Sequence, residues 1–136
     1  MSTVQLSDFQ IELFSTLHGD APLTAIVPVA SINNHMPQDE PLPYIYAHLS
    51  NAADWSCKDL VGFDVDVVLD VWTENHGDLQ LLQIQALLMT LLNRNTFTLP
   101  TGQNVLLQHS ASFFLREDDQ THHLSATFRA LLTNTA

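Results

Sequence analysis

Cysteine, glycine and positive charge are scarce in this chain of 136 residues. Its single cysteine, Cys57, excludes an internal disulfide bond and supplies no thiolate metal motif. The four glycines leave little room for a glycine-rich phosphate loop, and the common motifs of serine hydrolases and zinc proteases are absent. Only four Lys and Arg residues stand against 15 Asp and Glu, for a formal net charge of −11. The chain is therefore expected to repel nucleic-acid phosphates and anionic membranes.

Long hydrophobic runs are also missing. No apolar run approaches the roughly 20 residues that a membrane-spanning helix needs. The first ten residues lack the positive flank and apolar core of a signal peptide. A hydrophobic fraction of 46% is typical of a globular protein. We expect one domain, residues 1–136, made in a cytoplasm and without a membrane partner.

The most informative segment is 63–72, FDVDVVLDVW, in which apolar and acidic residues alternate. Alternation with a period of two predicts a β-strand that is buried on one face. Asp64, Asp66 and Asp70 lie together on the opposite face, with Val68 and Trp72 as exceptions. Aspartate is disfavoured in strands, so three on one face call for an explanation outside the core. The apolar face carries the odd-numbered residues Phe63, Val65, Val67, Leu69 and Val71.

Other segments complete a plan of helices and strands. A helix near the N-terminus is indicated by apolar residues at helical spacing, and Asp20 is expected to cap a short second helix. The helix predicted over 79–93 is so apolar that one sheet would cover only one of its sides, and either the first helix or a neighbouring subunit is expected to cover the rest. Short strands are predicted over 27–32 and 44–49, with a proline-rich loop between them.

A β-hairpin is predicted at the C-terminal end, with arms over 105–116 and 122–133. In the first arm an apolar face is expected from these residues: Leu107, His109, Ala111, Phe113 and Leu115. The whole pattern predicts an α+β fold, in which two main helices pack on one face of an antiparallel β-sheet in a single domain.

The acidic strand face allows three chemical interpretations: a metal site, acid–base catalysis, or a solvated surface. Mg²⁺ and Ca²⁺ sites usually draw oxygen ligands from a loop or from several elements, which favours the solvated surface. His122 and His123 point to opposite faces of a strand and do not readily share one ion. We therefore expect no catalytic residue, cofactor or metal. A small metal-dependent enzyme using Asp64, Asp66 and one of these histidines remains an alternative, as does a cytoplasmic binding adaptor.

Several ordered features carry a resemblance to a known family. A Pro43-Tyr44-Ile45-Tyr46 strand follows the proline-rich loop, and Val71-Trp72-Thr73 ends the long strand before a glycine and a leucine-rich helix. A hairpin with an acidic turn closes the chain. Taken in order over nearly the whole length, these features resemble the tail-terminator proteins (tail-completion or head–tail joining proteins) of long-tailed bacteriophages and gene transfer agents.

The resemblance implies a structural virion protein and not an enzyme. Such a subunit forms a hexameric ring with copies of itself, assembled in the bacterial cytoplasm. The ring ends the tail tube, contacts the tube protein, and meets an adaptor or stopper protein at the neck, while DNA passes through the bore without specific binding.

In this setting, two sets of residues become candidate sites. The acidic strand face would line the channel, where carboxylates repel phosphates, or would be a docking surface: Asp64, Asp66 and Asp70. A second set is expected at a subunit interface or tail contact: Trp72, Glu117, Asp118 and Asp119.

Overall fold

The computed structural model describes residues 6–35, 37, 41–54, 60–74, 79–99, 104–117 and 121–135. It contains helices and strands in an α+β arrangement, together with a 3-10 turn at Val29–Ser31. The helices are α1 (Leu6–His18), α2 (Ala21–Thr24) and α3 (Leu79–Leu92). The strands are β1 (Ile32–Asn33), β2 (Tyr44–Asp54), β3 (Leu60–Glu74), β4 (Thr96–Thr98), β5 (Asn104–Arg116) and β6 (Thr121–Thr135).

The six strands form one mixed sheet in the order β1-β2-β3-β6-β5-β4. Strand β1 runs parallel to β2, whereas the other neighbouring strands are antiparallel, so the expectation of a fully antiparallel sheet was wrong at this edge. The strand predicted over 27–32 is also shorter than expected. Pro28 has no N–H to donate to a ladder, and its carbonyl instead accepts from the Ser31 N–H at 2.8 Å in the 3-10 turn.

The core confirms the alternation of the long strand. Val65, Val67, Leu69 and Val71 are fully buried, whereas the aspartates between them are half-buried. The same core cluster contains apolar residues of α1 and of α3, and α3 contacts β3, β5 and β6. Leu79 and Leu82 of α3 remain exposed, so this helix is not fully covered within the described part of one subunit. Asp20 caps α2 as predicted, because its Oδ2 accepts from the Leu23 N–H at 3.1 Å.

Two register shifts change which side chains share a face. One lies at Ser50 of β2 and the other at Ser110 of β5. An extra residue in one strand of a pair moves every later side chain to the other face. His109 pairs with Phe128 on the core face, but Ala111 pairs with Thr127 on the opposite face. The predicted apolar face of the first hairpin arm is therefore correct only as far as His109.

Strand lengths also differ from the prediction. Strand β2 continues to Asp54, well beyond position 49, and the short strand β4 was not predicted. Arg94 has a φ of 61°, in the left-handed region, where the chain turns from α3 towards β4. Among the described residues, none of the helices has both the length and the apolar character to cross a bilayer.

Candidate functional site

The face of the sheet that carries the aspartates of β3 is called here the polar face. Strand pairing places Asp70 beside Tyr46 of β2 and Ser125 of β6. In the adjacent row, Trp72 lies beside His123, which in turn pairs with Leu115 of β5. Aromatic, acidic and imidazole side chains from three strands therefore meet at one end of the polar face, beside Leu115 of β5.

At this end of the polar face, four side chains form a continuous histidine–carboxylate network: His48, Asp70, Glu117 and His123. The Nε2 of His48 lies 3.0 Å from Oδ2 of Asp70, and the Nε2 of His123 lies 2.9 Å from Oδ1. On its other side, the Nδ1 of His123 lies 3.0 Å from Oε1 of Glu117. Asp70 thus bridges two imidazoles with its two oxygens, and His123 bridges two carboxylates with its two nitrogens.

The number of protons on the imidazole nitrogens decides how many hydrogen bonds this network forms. An ionised carboxylate only accepts hydrogen bonds, and a neutral imidazole carries a single N–H. His123 therefore donates to both Asp70 and Glu117 only as the doubly protonated imidazolium. The side chains of Asp70 and His123 are only 15% and 14% exposed, so these contacts are partly shielded from water.

Two aromatic rings cover the imidazoles. The Trp72 ring stacks on His123 with centroids 4.6 Å apart and planes 12° apart. The Tyr46 ring stacks on His48 at 4.2 Å and 19°. Stacking fixes the planes of both imidazoles, and a protonated imidazole gains a cation–π attraction in this position. Trp72 is half-buried and packs against the network of its own subunit, and its predicted role at a contact surface remains a prediction.

The remaining aspartates of β3 lie near the one arginine of β6. Arg129 donates through Nε and Nη2 to the carboxylate of Asp64, and it pairs with Asp66 across the strands. These hydrogen bonds, together with the attraction between the charges, lower the pKa of Asp64 and raise the pKa of Arg129. Asp66 adds a further Coulombic attraction to Arg129. The acidic face is therefore partly neutralised at this end.

The lowered pKa of Asp64 predicts a pH-dependent contribution to stability. Asp64→Asn should lower the urea midpoint slightly at pH 7, because it removes the carboxylate that Arg129 contacts. A carboxyl with a depressed folded-state pKa stabilises above its unfolded value, which is 3.8, and the contribution is lost as the pH falls below it. The midpoints of parent and variant should therefore converge as the pH falls below 3.8 and through the lower folded-state pKa of Asp64. Glu12→Gln on α1 serves as control, and a difference between parent and Asp64→Asn that stays equal from pH 7 through this acid range would contradict the assignment.

The structure places the other predicted residues as follows. Glu117 joins the histidine–carboxylate network, whereas Asp118 and Asp119 lie outside the described residues. His122 is buried on the opposite face from His123, and its Nε2 and the Oγ1 of the facing Thr73 have no hydrogen-bond partner among the described residues. Within the described ranges, no three His, Cys, Asp or Glu side chains converge as a metal site. His48 was not singled out from the sequence, because only strand register brings it to Asp70.

Beside the network lies an exposed apolar surface at the end of β5. Phe113 is 62% exposed and Leu115 is 53% exposed, both on the polar face, whereas Phe114 is 51% exposed on the other face. Three consecutive large apolar residues in water are unusual for a protein that functions as a monomer. This surface, defined by these three residues, is called here the β5 apolar end.

Comparisons with known proteins give one matching family model and one solved chain of similar fold. The profile of the family described as "Tail completion protein gp17" matches residues 11–133. A solved chain from the "Virion of native gene transfer agent (GTA) particle" is similar in fold, with a TM-score of 0.74 and 23% sequence identity. The similarity covers 98% of this chain and 100% of that one. A comparison with curated protein sequences finds no significant match.

Proposed function

The chain belongs to the tail completion protein gp17 family, and we propose from this that it is the structural virion protein that ends the tail tube and joins it to the neck. In this proposal, copies of the chain form a hexameric ring between the tube protein and a neck protein. DNA passes through the bore. The observation that carries the proposal is the family match over residues 11–133, supported by the α+β fold shared with a chain of a gene transfer agent virion.

The exposed apolar side chains support self-association. The β5 apolar end and the exposed leucines of α3, Leu79 and Leu82, leave large hydrophobic groups in water within the described part of one subunit. Burial of such groups against another subunit is favourable by about 25 cal/mol per Å² of apolar surface. A ring supplies that cover on every subunit, because each copy has two neighbours.

The charge distribution supports a bore lined by the polar face. Asp66 is half-buried on that face and contributes to the negative character of a chain with a net charge of −11. Carboxylates repel DNA phosphates, so the duplex would move without adhering. An alternative for the same face is a docking surface for the neck protein.

Charge inversion at Asp66 separates the two roles. Asp66→Lys should leave rings intact and slow DNA ejection, because a ring of lysines binds the phosphates that pass through it. Glu12→Lys on α1 provides a matched charge change off the sheet. Ejection kinetics of purified particles give the measurement. Unchanged ejection combined with tails that fail to join heads would assign the polar face to docking.

The proposed hexameric ring is tested by measuring the mass of the assembled chain. Native mass spectrometry of the purified chain, alone and with isolated tail tubes, should show a species of six subunits. The same samples examined by electron microscopy should show rings at tube ends. A chain that remains monomeric at high concentration, and that does not bind tubes, would contradict the proposal.

A further inference from the structure

Two edges of the sheet are left open in the described residues. Strand β1 pairs with β2 only at Ile45 and Tyr46, so no described strand lies along 47–53 on that side. At the other edge, β4 pairs with β5 only from Asn104 to Leu106. The N–H groups of Leu107 and His109 donate to Asn95 and Asn93 in the turn after α3, but no described strand lies along 110–116. These two segments are called here the β2 edge (47–53) and the β5 edge (110–116).

Both edges extend into solvent. Residues 50–53 of the β2 edge are exposed, and the β5 edge carries the β5 apolar end. A row of unpaired backbone N–H and C=O groups beside exposed apolar side chains is a template for pairing with another strand. Most proteins protect such an edge with charge, proline or a covering element. The β5 edge contains no proline, and its one charged residue is Arg116, at its end.

We propose that the β5 edge of one copy pairs with the β2 edge of the next copy, so that the sheets join into one continuous sheet around the ring. This inference rests on the proposed ring and specifies how its subunits bind. The occupant of each edge is therefore a second copy of this chain. The backbone supplies hydrogen bonds, and side chains of the neighbouring strand partly cover Phe113 and Leu115 on the polar face.

Strand direction agrees with this arrangement. The four long strands lie in the order β2, β3, β6 and β5, and each is antiparallel to its neighbour in the sheet. Strand β5 therefore runs opposite to β2. When a second copy lies beside the first in the same orientation, its β2 is antiparallel to the first copy's β5. Copies related by rotation about one axis, as in a closed ring, keep this orientation.

The two edges are offset from each other along the strand direction, and this offset agrees with closure of the sheets into a ring. Leu115 lies at the level of Trp72 on β3, whereas Asn51 lies at the level of Asp66, six residues away. At about 3.3 Å per residue, pairing them staggers neighbouring copies by roughly 20 Å along the strands. Four strands at about 4.8 Å spacing are roughly 19 Å wide. The strands then tilt by about 45° from the ring axis, at the upper end of the 35–45° typical of closed barrels.

The pairing also explains why two different edges are open. An interface between unlike surfaces continues from copy to copy and generates a ring when the rotation closes. Pairing of two identical edges would instead give a dimer and stop. The register that matches Leu115 to Asn51 also matches Phe113 to Ala53, and all four residues lie on the polar face of their own subunits.

Engineered disulfides test the pairing directly. In a Cys57→Ser background, the pairs Leu115→Cys with Asn51→Cys, and Phe113→Cys with Ala53→Cys, are introduced into the full chain. Mild oxidation of assembled rings should give a ladder of covalent oligomers up to the ring size on a denaturing gel. Each single-cysteine variant should run as a monomer. The pair Ile11→Cys with Asn51→Cys is the matched control and should give no ladder.

The outcomes separate the interface from the ring. Rings that form without a ladder from either cysteine pair would overturn the edge pairing and leave the proposed function intact. Covalent dimers from a single-cysteine variant would indicate pairing of identical edges and would also overturn it. Absence of rings, alone and with tail tubes, would remove the proposed function on which the inference rests.

Discussion

Replacing Phe113 and Leu115 together by serine is expected to abolish ring assembly while leaving the subunit folded. Both side chains are more than half exposed in the single subunit, so their loss removes little burial from its own core. Substitutions at such positions usually change the free energy of unfolding by less than about 0.5 kcal/mol each. Full burial of each side chain would be worth about 1.5–3 kcal/mol, and a neighbouring strand that faces them with Asn51 and Ala53 covers each of them in part. Half of that value for two side chains is on the order of 1.5–3 kcal/mol, a more than tenfold loss in association constant at each interface of the ring.

The measurement combines assembly and stability. Analytical ultracentrifugation across a concentration series should show the parent as rings and the double variant as monomers. Thermal unfolding followed by circular dichroism should be nearly unchanged. Ile11→Ser is the matched control, because Ile11 is 68% exposed on α1 and lies far from the β5 edge in the chain. A double variant that assembles as strongly as the Ile11→Ser protein would contradict the role of the β5 apolar end.

The second large effect is expected at Asp70. Asp70→Ala removes the carboxylate that contacts both His48 and His123, and it leaves the Nε2 atoms of both half-buried imidazoles without this partner, while His123 keeps its contact with Glu117. Hydrogen bonds to charged groups contribute about 1.5–3 kcal/mol each. We expect the free energy of unfolding to fall by about 2–3 kcal/mol, since partial exposure reduces the full value of the two contacts.

Asp66→Ala gives the matched comparison for Asp70→Ala. Asp66 lies on the same strand and face, and its interaction with Arg129 is a longer-range attraction. Urea denaturation of both variants, together with His48→Ala and the double variant with Asp70→Ala, gives a double-mutant cycle. A coupling energy near zero, or equal losses from the two aspartate variants, would show that the histidine–carboxylate network does not act as a unit.

The local pattern predicted the individual elements well. Alternation in β3 placed Val65 and Leu69 in the core and Asp64 on the opposite face. Successive side chains of a strand point to opposite faces, so only one assignment buries the apolar set and leaves the aspartates outside the core. The hairpin of β5 and β6 was also predicted. The first strand was predicted over 27–32 but begins only at Ile32, because Pro28 directs the chain into a 3-10 turn and only two residues then pair, in parallel, with β2.

The faces of β5 show the limit of pattern reading. Continuous alternation assigned Phe113 and Leu115 to the core face with Leu107, but the register shift after His109 moves them to the polar face. A bulge is defined by two strands together, so the sequence of one strand does not reveal it. The most exposed apolar residues of β5 were therefore expected inside the subunit.

The histidine–carboxylate network could not be predicted for a related reason. His48, Asp70 and His123 belong to three strands and are separated by 22 and 53 residues. Only the registers of two strand pairs bring them to hydrogen-bond distance. The acidic character of the face was evident from the aspartates alone, but the partner of each one was not. Arg129, which holds Asp64, is likewise 65 residues away along the chain.

The most direct test of the central claim is a cryo-electron microscopy reconstruction of the tail–neck junction of intact particles that carry this chain. The account predicts one hexameric ring of the chain at the head-proximal end of the tail tube, with the bore open to DNA and neighbouring sheets joined through the β5 and β2 edges. Copies found at the tail tip, repeated along the tube or absent from the particle would contradict it.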